Sequence, residues 1–284
     1  MSKIGIIDLF CGTGGFAQGF LDADSRFCLK YAIDINPASC MTSRANHPEA
    51  TVECGDIHAV DLSSLKEDRK IGNIDLIIGG PPCQGFSSLR PFRSNEEGDD
   101  RNNLYMQYAR FVEFFNPRYF ILENVVGLLT HDNGMTLEKV VGKFMSLGYR
   151  VDWRVFNAAN FGVPQKRERF IMMGARENGQ VSFPVPTHYY SGRTIGYSKK
   201  ERHIVAKEDL PRAISVMDAI GDLPPLRSGE YADAYIKPPS NDYQAERRNG
   251  CDQLTLHKAT KHSEKMLEVI RHSGSSIASL PPGM

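Results

Sequence analysis

Short apolar runs alternate with stretches of helical periodicity through the first two-thirds of the chain. Ile4-Gly-Ile-Ile-Asp-Leu-Phe10 reads as a buried strand, and Leu29 to Ile33, Ile74 to Ile78 and Tyr119 to Leu122 repeat the type. Between them, Phe16 to Leu21, Pro37 to Asn46, Leu104 to Phe115 and Leu137 to Leu147 read as helices, the last two with a clear apolar face. Two more strands are predicted over Tyr149 to Phe156 and Phe170 to Gly174. Strands that alternate with helices form a parallel sheet covered on both faces. The predicted fold is therefore α/β, built on a doubly wound, mostly parallel sheet. In such sheets ligands sit beyond the carboxyl ends of the strands. The unusual residues of this chain fall at those ends: Gly12, Asp34, Asp56, Cys83 and Glu123.

After about Pro184 the pattern changes. Proline, histidine and paired charges become frequent and the apolar runs thin out. Ser215 to Ile220 and His262 to His272 read as helices, and Ser228 to Gln253 as a polar, loop-rich stretch. This divides the chain into a sheet-forming part, 1–184, and a loop-rich part, 185–284. At 41% hydrophobic and 24% charged, the composition is that of a water-soluble globular protein and not of a disordered one. The formal net charge is zero, so whole-chain charge does not announce a nucleic-acid partner, although a basic groove can be balanced by an acidic face elsewhere. No apolar run reaches a membrane span, and Asp8 interrupts the first run too early for a signal peptide. None of the six cysteines forms a Cys-x-x-Cys pair, which argues against zinc and for reduced thiols in a cytoplasmic protein.

The first glycine turn, Phe10-Cys-Gly12-Thr-Gly14-Gly15-Phe16, joins a strand to a helix, and its missing side chains let a ligand approach the backbone. Asp34 stands at the next strand end, where a carboxylate can accept from two ribose hydroxyls. Asp56 is a third acid, suited to accept from an adenine amino group. Gly12-x-Gly14-x-x-Ala17 fits a dinucleotide fingerprint equally well, so a nicotinamide-dependent oxidoreductase stays open at this point. The second cluster is more specific. Pro81 and Pro82 stiffen the backbone and hold Cys83 outward at a strand end, with Gly79 and Gly80 leaving room beside it. Glu123 ends the following strand and suits an acid or hydrogen-bonding role beside such a thiol. Gln165, Arg167 and Arg169 alternate before an apolar strand. In extended backbone they point together, and the two guanidinium groups could hold a carboxylate or phosphate.

Taken in order from Asp8 to about Gly174, these residues resemble the DNA (cytosine-5)-methyltransferases. The resemblance rests on Phe10-x-Gly12-x-Gly14-Gly15, Asp34, Asp56, Pro81-Pro82-Cys83-Gln84, Asp100-x-x-Asn103-Leu104, Glu123-Asn124-Val125 and Gln165-x-Arg167-x-Arg169. It implies the Rossmann-like fold of S-adenosylmethionine-dependent methyltransferases, with S-adenosylmethionine as donor, S-adenosylhomocysteine as product and no metal. Phe10 then stacks on adenine, Asp34 serves the ribose and Asp56 the base amino group, and Gly12, Gly14, Gly15, Phe16, Ile35 and Ile57 belong to the same cofactor site. Pro82 and Leu104 line the same pocket. The implied catalytic residues are Cys83, Glu123, Arg167 and Arg169. The implied substrate is double-stranded DNA whose target base is flipped out of the stack, contacted by Gln84, Ser87, Arg93, Arg101 and Gln165, in a bacterial restriction-modification setting. RNA as the substrate stays open on these motifs.

The chain departs from the family after Val216-Met-Asp-Ala-Ile-Gly-Asp-Leu-Pro-Pro225, which resembles the segment leading toward target recognition. The family's later motifs, including a terminal segment that packs beside the first glycine turn, are not found in 1–284. Three readings stand: a catalytic subunit completed by a second chain, a truncated member, or a degenerate DNA-binding remnant. The polar stretch from Gly85 to Asn103, directly after Cys83, reads as a loop that closes over flipped DNA. Deleting Arg90–Glu97 is expected to weaken both DNA affinity and methyl transfer. Unchanged values in a filter-binding and labelled-methyl assay would remove the loop from the substrate site.

Overall fold

The computed structural model describes residues 3–67, 71–82, 104–176, 179–192 and 202–273. They fall into two compact units, Met1–Ala213 and Ile214–Met284. The first is built on one seven-stranded sheet in the order β3-β2-β1-β4-β5-β7-β6. Its strands are β1 (Ile4–Leu9), β2 (Phe27–Asp34), β3 (Thr51–Cys54), β4 (Leu76–Gly79), β5 (Tyr119–Asn124), β6 (Arg150–Asn157) and β7 (Glu168–Ala175). The first five run parallel, and β7 lies antiparallel between β5 and β6. The α/β class and the mostly parallel, Rossmann-like sheet expected from the sequence are both present.

Adjacent residues of β1 go to opposite faces, as the two-residue period of a strand requires. Ile6 joins Leu29, Ala32 and Ile78 in a layer that includes Ala17 of α1 (Gly15–Ala23) and Cys40 of α2 (Pro37–Asn46). Ile7 and Leu9 join the larger layer with Tyr31, Ile77 and Phe120. That layer includes Phe111 and Val112 of α4 (Leu104–Phe115) and Val140 and Phe144 of α5 (Met135–Ser146). A short α3 (Leu62–Glu67) completes the set between β3 and β4. Strand order reverses between β1 and β4: β2 and β3 extend one way from β1, β4 and β5 the other. A crevice at such a reversal opens beyond the strand ends. The glycine turn and the Pro81-Pro82 segment both leave the sheet there.

Two elements depart from the sequence reading. β3 was not anticipated, because Val52 is its single buried apolar residue and four residues are too few to show a period. In the second unit, the polar stretch 228–253 contains a helix, α7 (Asp242–Arg248), which little in its composition announces. It follows α6 (Val216–Ile220), whose Ser215 and Asp218 form a reciprocal cap. Arg248 holds α7 in place: its guanidinium donates to Asp222 Oδ2 at 2.6 and 2.9 Å and to the Lys237 carbonyl at 2.8 Å. The same group lies 3.5 Å from the centre of the Tyr235 ring. This is a paired, buried charge with hydrogen bonds on two of its three nitrogens, the kind of arrangement that makes burial of an ion tolerable. The unit ends with α8 (Glu264–His272), capped by Ser263.

The larger layer is tightest at Phe120, whose ring centroid lies 4.3 Å from that of Phe144 and 5.2 Å from that of Tyr149. Gly174 of β7 lies against the same ring, and a β-carbon there would overlap it. Gly174→Ala is therefore expected to cost about 1–3 kcal/mol through overpacking. Urea denaturation with an unchanged midpoint would show that Phe120 can turn aside.

Candidate functional site

The glycine turn follows from where the chain must go after β1. Phe10, Gly12 and Gly14 all have positive φ, at 59°, 54° and 88°. At Gly14 a side chain is excluded twice, by the backbone angle and by the His47 imidazole, which occupies the place of a β-carbon. His47 is buried, and its Nε2 lies 3.2 Å from the Gly14 carbonyl, so that nitrogen carries the proton and donates. Asn46 Nδ2 donates to the Thr13 carbonyl at 3.2 Å. The end of β2 holds the other side of the turn: Cys11 N–H donates to the Ile33 carbonyl at 3.0 Å, and Gly12 N–H to Asp34 Oδ2 at 2.9 Å. Beyond this frame the turn is open. A β-carbon added at Gly12 or Gly15 would meet nothing within 4 Å.

Asp34 is half-buried. Its Oδ1 accepts from the Asn36 N–H at 2.8 Å, so each carboxylate oxygen is fixed by one backbone donor and retains a lone pair for a ligand. Ile35 follows with 72% of its surface exposed, an apolar side chain left at the rim. Asp56 is exposed. The His58 backbone N–H at 2.9 Å and the His58 ring Nδ1 at 2.7 Å hold its carboxyl below the usual carboxylate range. Ile57 is buried beneath it, Phe10 and Leu104 pack half-buried against the larger layer, and Phe16 lies against Phe20. An open glycine backbone, two anchored carboxylates at successive strand ends and an exposed apolar rim are donors and acceptors of the kind that an adenosyl group requires.

The second cluster lies across the strand-order reversal. Gly79 pairs with Leu122, so the residues that follow, Gly80 and Pro81, run alongside Glu123 and Asn124. Asn124 Nδ2 donates to the Pro81 carbonyl at 3.2 Å, fixing the segment that leads to Cys83. At Gly80 a β-carbon would stand 2.9 Å from Glu123 Oε2, so glycine is what lets this carboxylate lie against the backbone. Arg169 Nε lies 2.6 Å from Glu123 Oε1, a charge contact whose N–H is not aligned as a hydrogen bond. Arg169 Nη1 donates to the Glu168 carbonyl at 2.7 Å. Burial lowers the Arg169 guanidinium from its usual value, Glu123 opposes that shift, and the nearby positive charge of Arg167 adds to it.

Strand β7 begins only at Glu168, so Gln165 and Arg167 belong to the preceding turn and not to the alternating strand that the sequence suggested. Both are exposed, and Arg167 is close enough for its charge to act on Arg169. Pro82 is exposed at the last described position of its segment. Cys83, Gln84, Ser87, Arg93 and Arg101 lie outside the described residues. Among the described residues no group of histidine, cysteine and carboxylate side chains could hold a metal ion.

Sequence reasoning assigned no role to Asp8. It is 1% exposed at the end of β1, beneath the glycine turn, and neither carboxyl oxygen has a well-formed hydrogen bond. Burial pushes its pKa up to about 8, against a weaker downward pull from the Ala17 N–H, and the Asp34 charge raises it further. The signal was present as an acid inside an otherwise apolar strand. The folded chain keeps this proton to about pH 8, whereas an ordinary aspartate loses it near 3.8. Stability present below the lower value is therefore lost progressively as pH rises toward the upper one. Asp8→Asn is expected to remove that loss, so its melting temperature should rise relative to wild type across this window. Parallel melting curves for the two proteins would mean that Asp8 is already ionised in the folded chain.

A family model described as C-5 cytosine-specific DNA methylase matches residues 4–276. The Type II methyltransferase M.AgeI of Thalassovita gelatinovora is 36% identical over 98% of the chain, and M.DdeI of Desulfomicrobium norvegicum 32% over 93%. The chain covers 63% and 59% of those two proteins, less than two thirds of either. Among solved structures, a putative DNA modification methyltransferase encoded within an E. coli prophage superposes with a TM-score of 0.67 at 23% identity, over 96% of this chain and 75% of that one. A Spodoptera frugiperda DNMT2 mutant gives 0.54 at 18% identity, over 81% and 62%. At these identities the two structures speak for the shared fold.

Proposed function

The chain belongs to the C-5 cytosine-specific DNA methylase family, and we propose that it methylates C5 of cytosine in double-stranded DNA, with Cys83 as nucleophile and S-adenosylmethionine as methyl donor. The observation that carries this reading is the Glu123 carboxylate, set against Gly80 and paired with Arg169 at 2.6 Å, beside the backbone that runs into Cys83. A thiol nucleophile and a hydrogen-bonding acid within reach of one ring are what cytosine activation needs.

Cytosine C5 is a poor nucleophile. The Cys83 thiolate adds to C6, the C5–C6 π electrons move into the ring, and charge develops toward N3 and the 2-carbonyl. Glu123 holds or supplies a proton at N3, and Arg169 stabilises the carbonyl oxygen as charge grows there. Arg167 keeps the local field positive, which also favours the thiolate form of Cys83. When bound, S-adenosylmethionine supplies a methyl group electrophilic enough for the enriched C5 to accept. Asp34 would hold its ribose, Asp56 its adenine amino group, and Phe10 and Ile35 its ring faces, while the open turn at Gly12 and Gly15 leaves space for the remainder. Loss of the C5 proton to a base then restores the ring and breaks the sulfur–carbon bond, returning Cys83. A stacked base cannot present C6 to a thiol, so the target must leave the duplex. Gln84, Ser87, Arg93, Arg101 and Gln165 are the proposed contacts that receive the DNA around it.

The named relatives belong to Type II systems, which supports a bacterial, cytoplasmic restriction-modification role for this protein. Because the chain spans less than two thirds of those relatives, full sequence-specific activity by 1–284 alone is a separate question from the chemistry of its site. A second chain that completes recognition is the arrangement to test beside the isolated protein. DNA containing 5-fluorocytosine blocks the final proton loss and should trap wild-type protein as a covalent adduct stable to denaturing electrophoresis. Cys83→Ser should trap none. An adduct formed by the variant would move the nucleophile elsewhere, and trapping on RNA alone would change the substrate class.

A further inference from the structure

Two cysteines with no part in the proposed chemistry meet beside the cofactor end of the sheet. Cys40 is fully buried on α2, and its Sγ donates toward the Asp34 carbonyl at 3.3 Å and the Glu53 carbonyl at 3.6 Å. Its thiol thus occupies the notch between the ends of β2 and β3. Cys54 ends β3, pairs in register with Asp34, and is exposed. Its Sγ lies 4.0 Å from the Ile35 carbonyl, and two residues beyond Val52, which packs in one layer with Cys40, it lies on the face of β3 that meets α2. Both sulfurs therefore rest on the short backbone stretch that presents Asp34 and Ile35. Both are free thiols.

We propose that Cys40 and Cys54 are a modification site: a vicinal dithiol that closes to a disulfide by exchange with a small-molecule disulfide and so loosens the grip of the adjacent pocket on its nucleoside ligand. Exposed Cys54 reacts first. Its thiolate attacks the external disulfide, forming a mixed disulfide and releasing one thiol. The Cys40 sulfur then attacks Cys54 and expels the second. Two thiol protons and two electrons pass from the protein to the reagent, which leaves as two reduced thiols. The bond draws the sulfurs to about 2.0 Å. Cys40 then has no proton to offer the Asp34 and Glu53 carbonyls, and Cys54 turns inward from Ile35. The carbonyl of Asp34 also accepts from Gly55 N–H at 3.0 Å, and its carboxylate accepts from Gly12 and Asn36. A shift of this one residue is felt on both sides of the pocket. Most disulfides of cytosolic proteins are transient and sensing, the class to which an exposed thiol with a buried resolving partner belongs.

The effect on ligand binding rests on the cofactor assignment above; the bond itself does not. The test incubates the whole chain with oxidised glutathione and maps disulfide-linked peptides by mass spectrometry. S-adenosylhomocysteine is then titrated calorimetrically before oxidation, after it, and after dithiothreitol. A Cys40–Cys54 crosslink is expected, with affinity lowered roughly tenfold or more and restored on reduction, while Cys54→Ser protein treated alike keeps its affinity. A reaction that stops at glutathione on Cys54, or a crosslink that leaves affinity unchanged, overturns the proposal. Reduced protein that does not bind S-adenosylhomocysteine would count instead against the cofactor assignment, with the crosslink still judged by the peptide map.

Discussion

The seam between β1 and β4 is the constraint on which the rest of the first unit depends. Gly79 is pressed so close to the Leu9 carbonyl that any side chain there would overlap it, and would press on the Tyr108 ring as well. Tyr108 in turn places its hydroxyl 2.9 Å from the Ile77 carbonyl and 3.0 Å from that of Ile121, tying β4 to β5 from the side of α4. Buried carbonyls and a buried hydroxyl are satisfied together, which removes a desolvation cost that either would otherwise carry. Because the seam is this narrow, the loops that leave β1 and β4 emerge side by side. One becomes the glycine turn and the other the Pro81-Pro82 segment, so the proposed donor pocket and the backbone that leads toward Cys83 leave the sheet side by side.

The chemistry is assembled from separate layers of constraint. Backbone donors from Gly12 and Asn36 fix Asp34 without using all of its capacity. Gly80 admits Glu123, and Asn124 fixes the same backbone through Pro81. The least comfortable group is Asp8, a carboxyl enclosed beneath the turn with no aligned partner. Natural sites tolerate strain of this kind where function requires it. Its position puts the cost directly beneath the glycine turn.

Much of this was legible in the sequence, and the exceptions have physical causes. Pro37–Asn46 and Leu104–Phe115 match the expected helices end for end, because Pro37 starts one and a complete apolar stripe defines the other. Glu123 stood out as an acid closing an apolar strand. By contrast β3 is too short to show a period, and α7 depends on the Arg248–Asp222 pair, twenty-six residues apart, which no local pattern reveals. The alternation from Gln165 to Arg169 looked like strand but is mostly turn. The sequence also offered no hint that Cys40 and Cys54 meet, since their contact depends on the register of β3 against β2.

The antiparallel placing of β7 has a consequence for how the site is completed. Glu123 reaches its position through parallel pairing with distant β4, which requires a long crossover to close. Arg169 arrives on a hairpin of β6 and β7, whose partners Phe156 and Arg169 are thirteen residues apart along the chain. Local pairings of this kind form early, whereas parallel pairings must first overcome the entropy of loop closure. The guanidinium thus sits on a locally paired element and the carboxylate on a strand that also needs a long crossover. Their charge contact depends on the antiparallel pairing of β5 with β7, in which Glu123 stands opposite Ile171, so it ties the hairpin to the parallel part of the sheet.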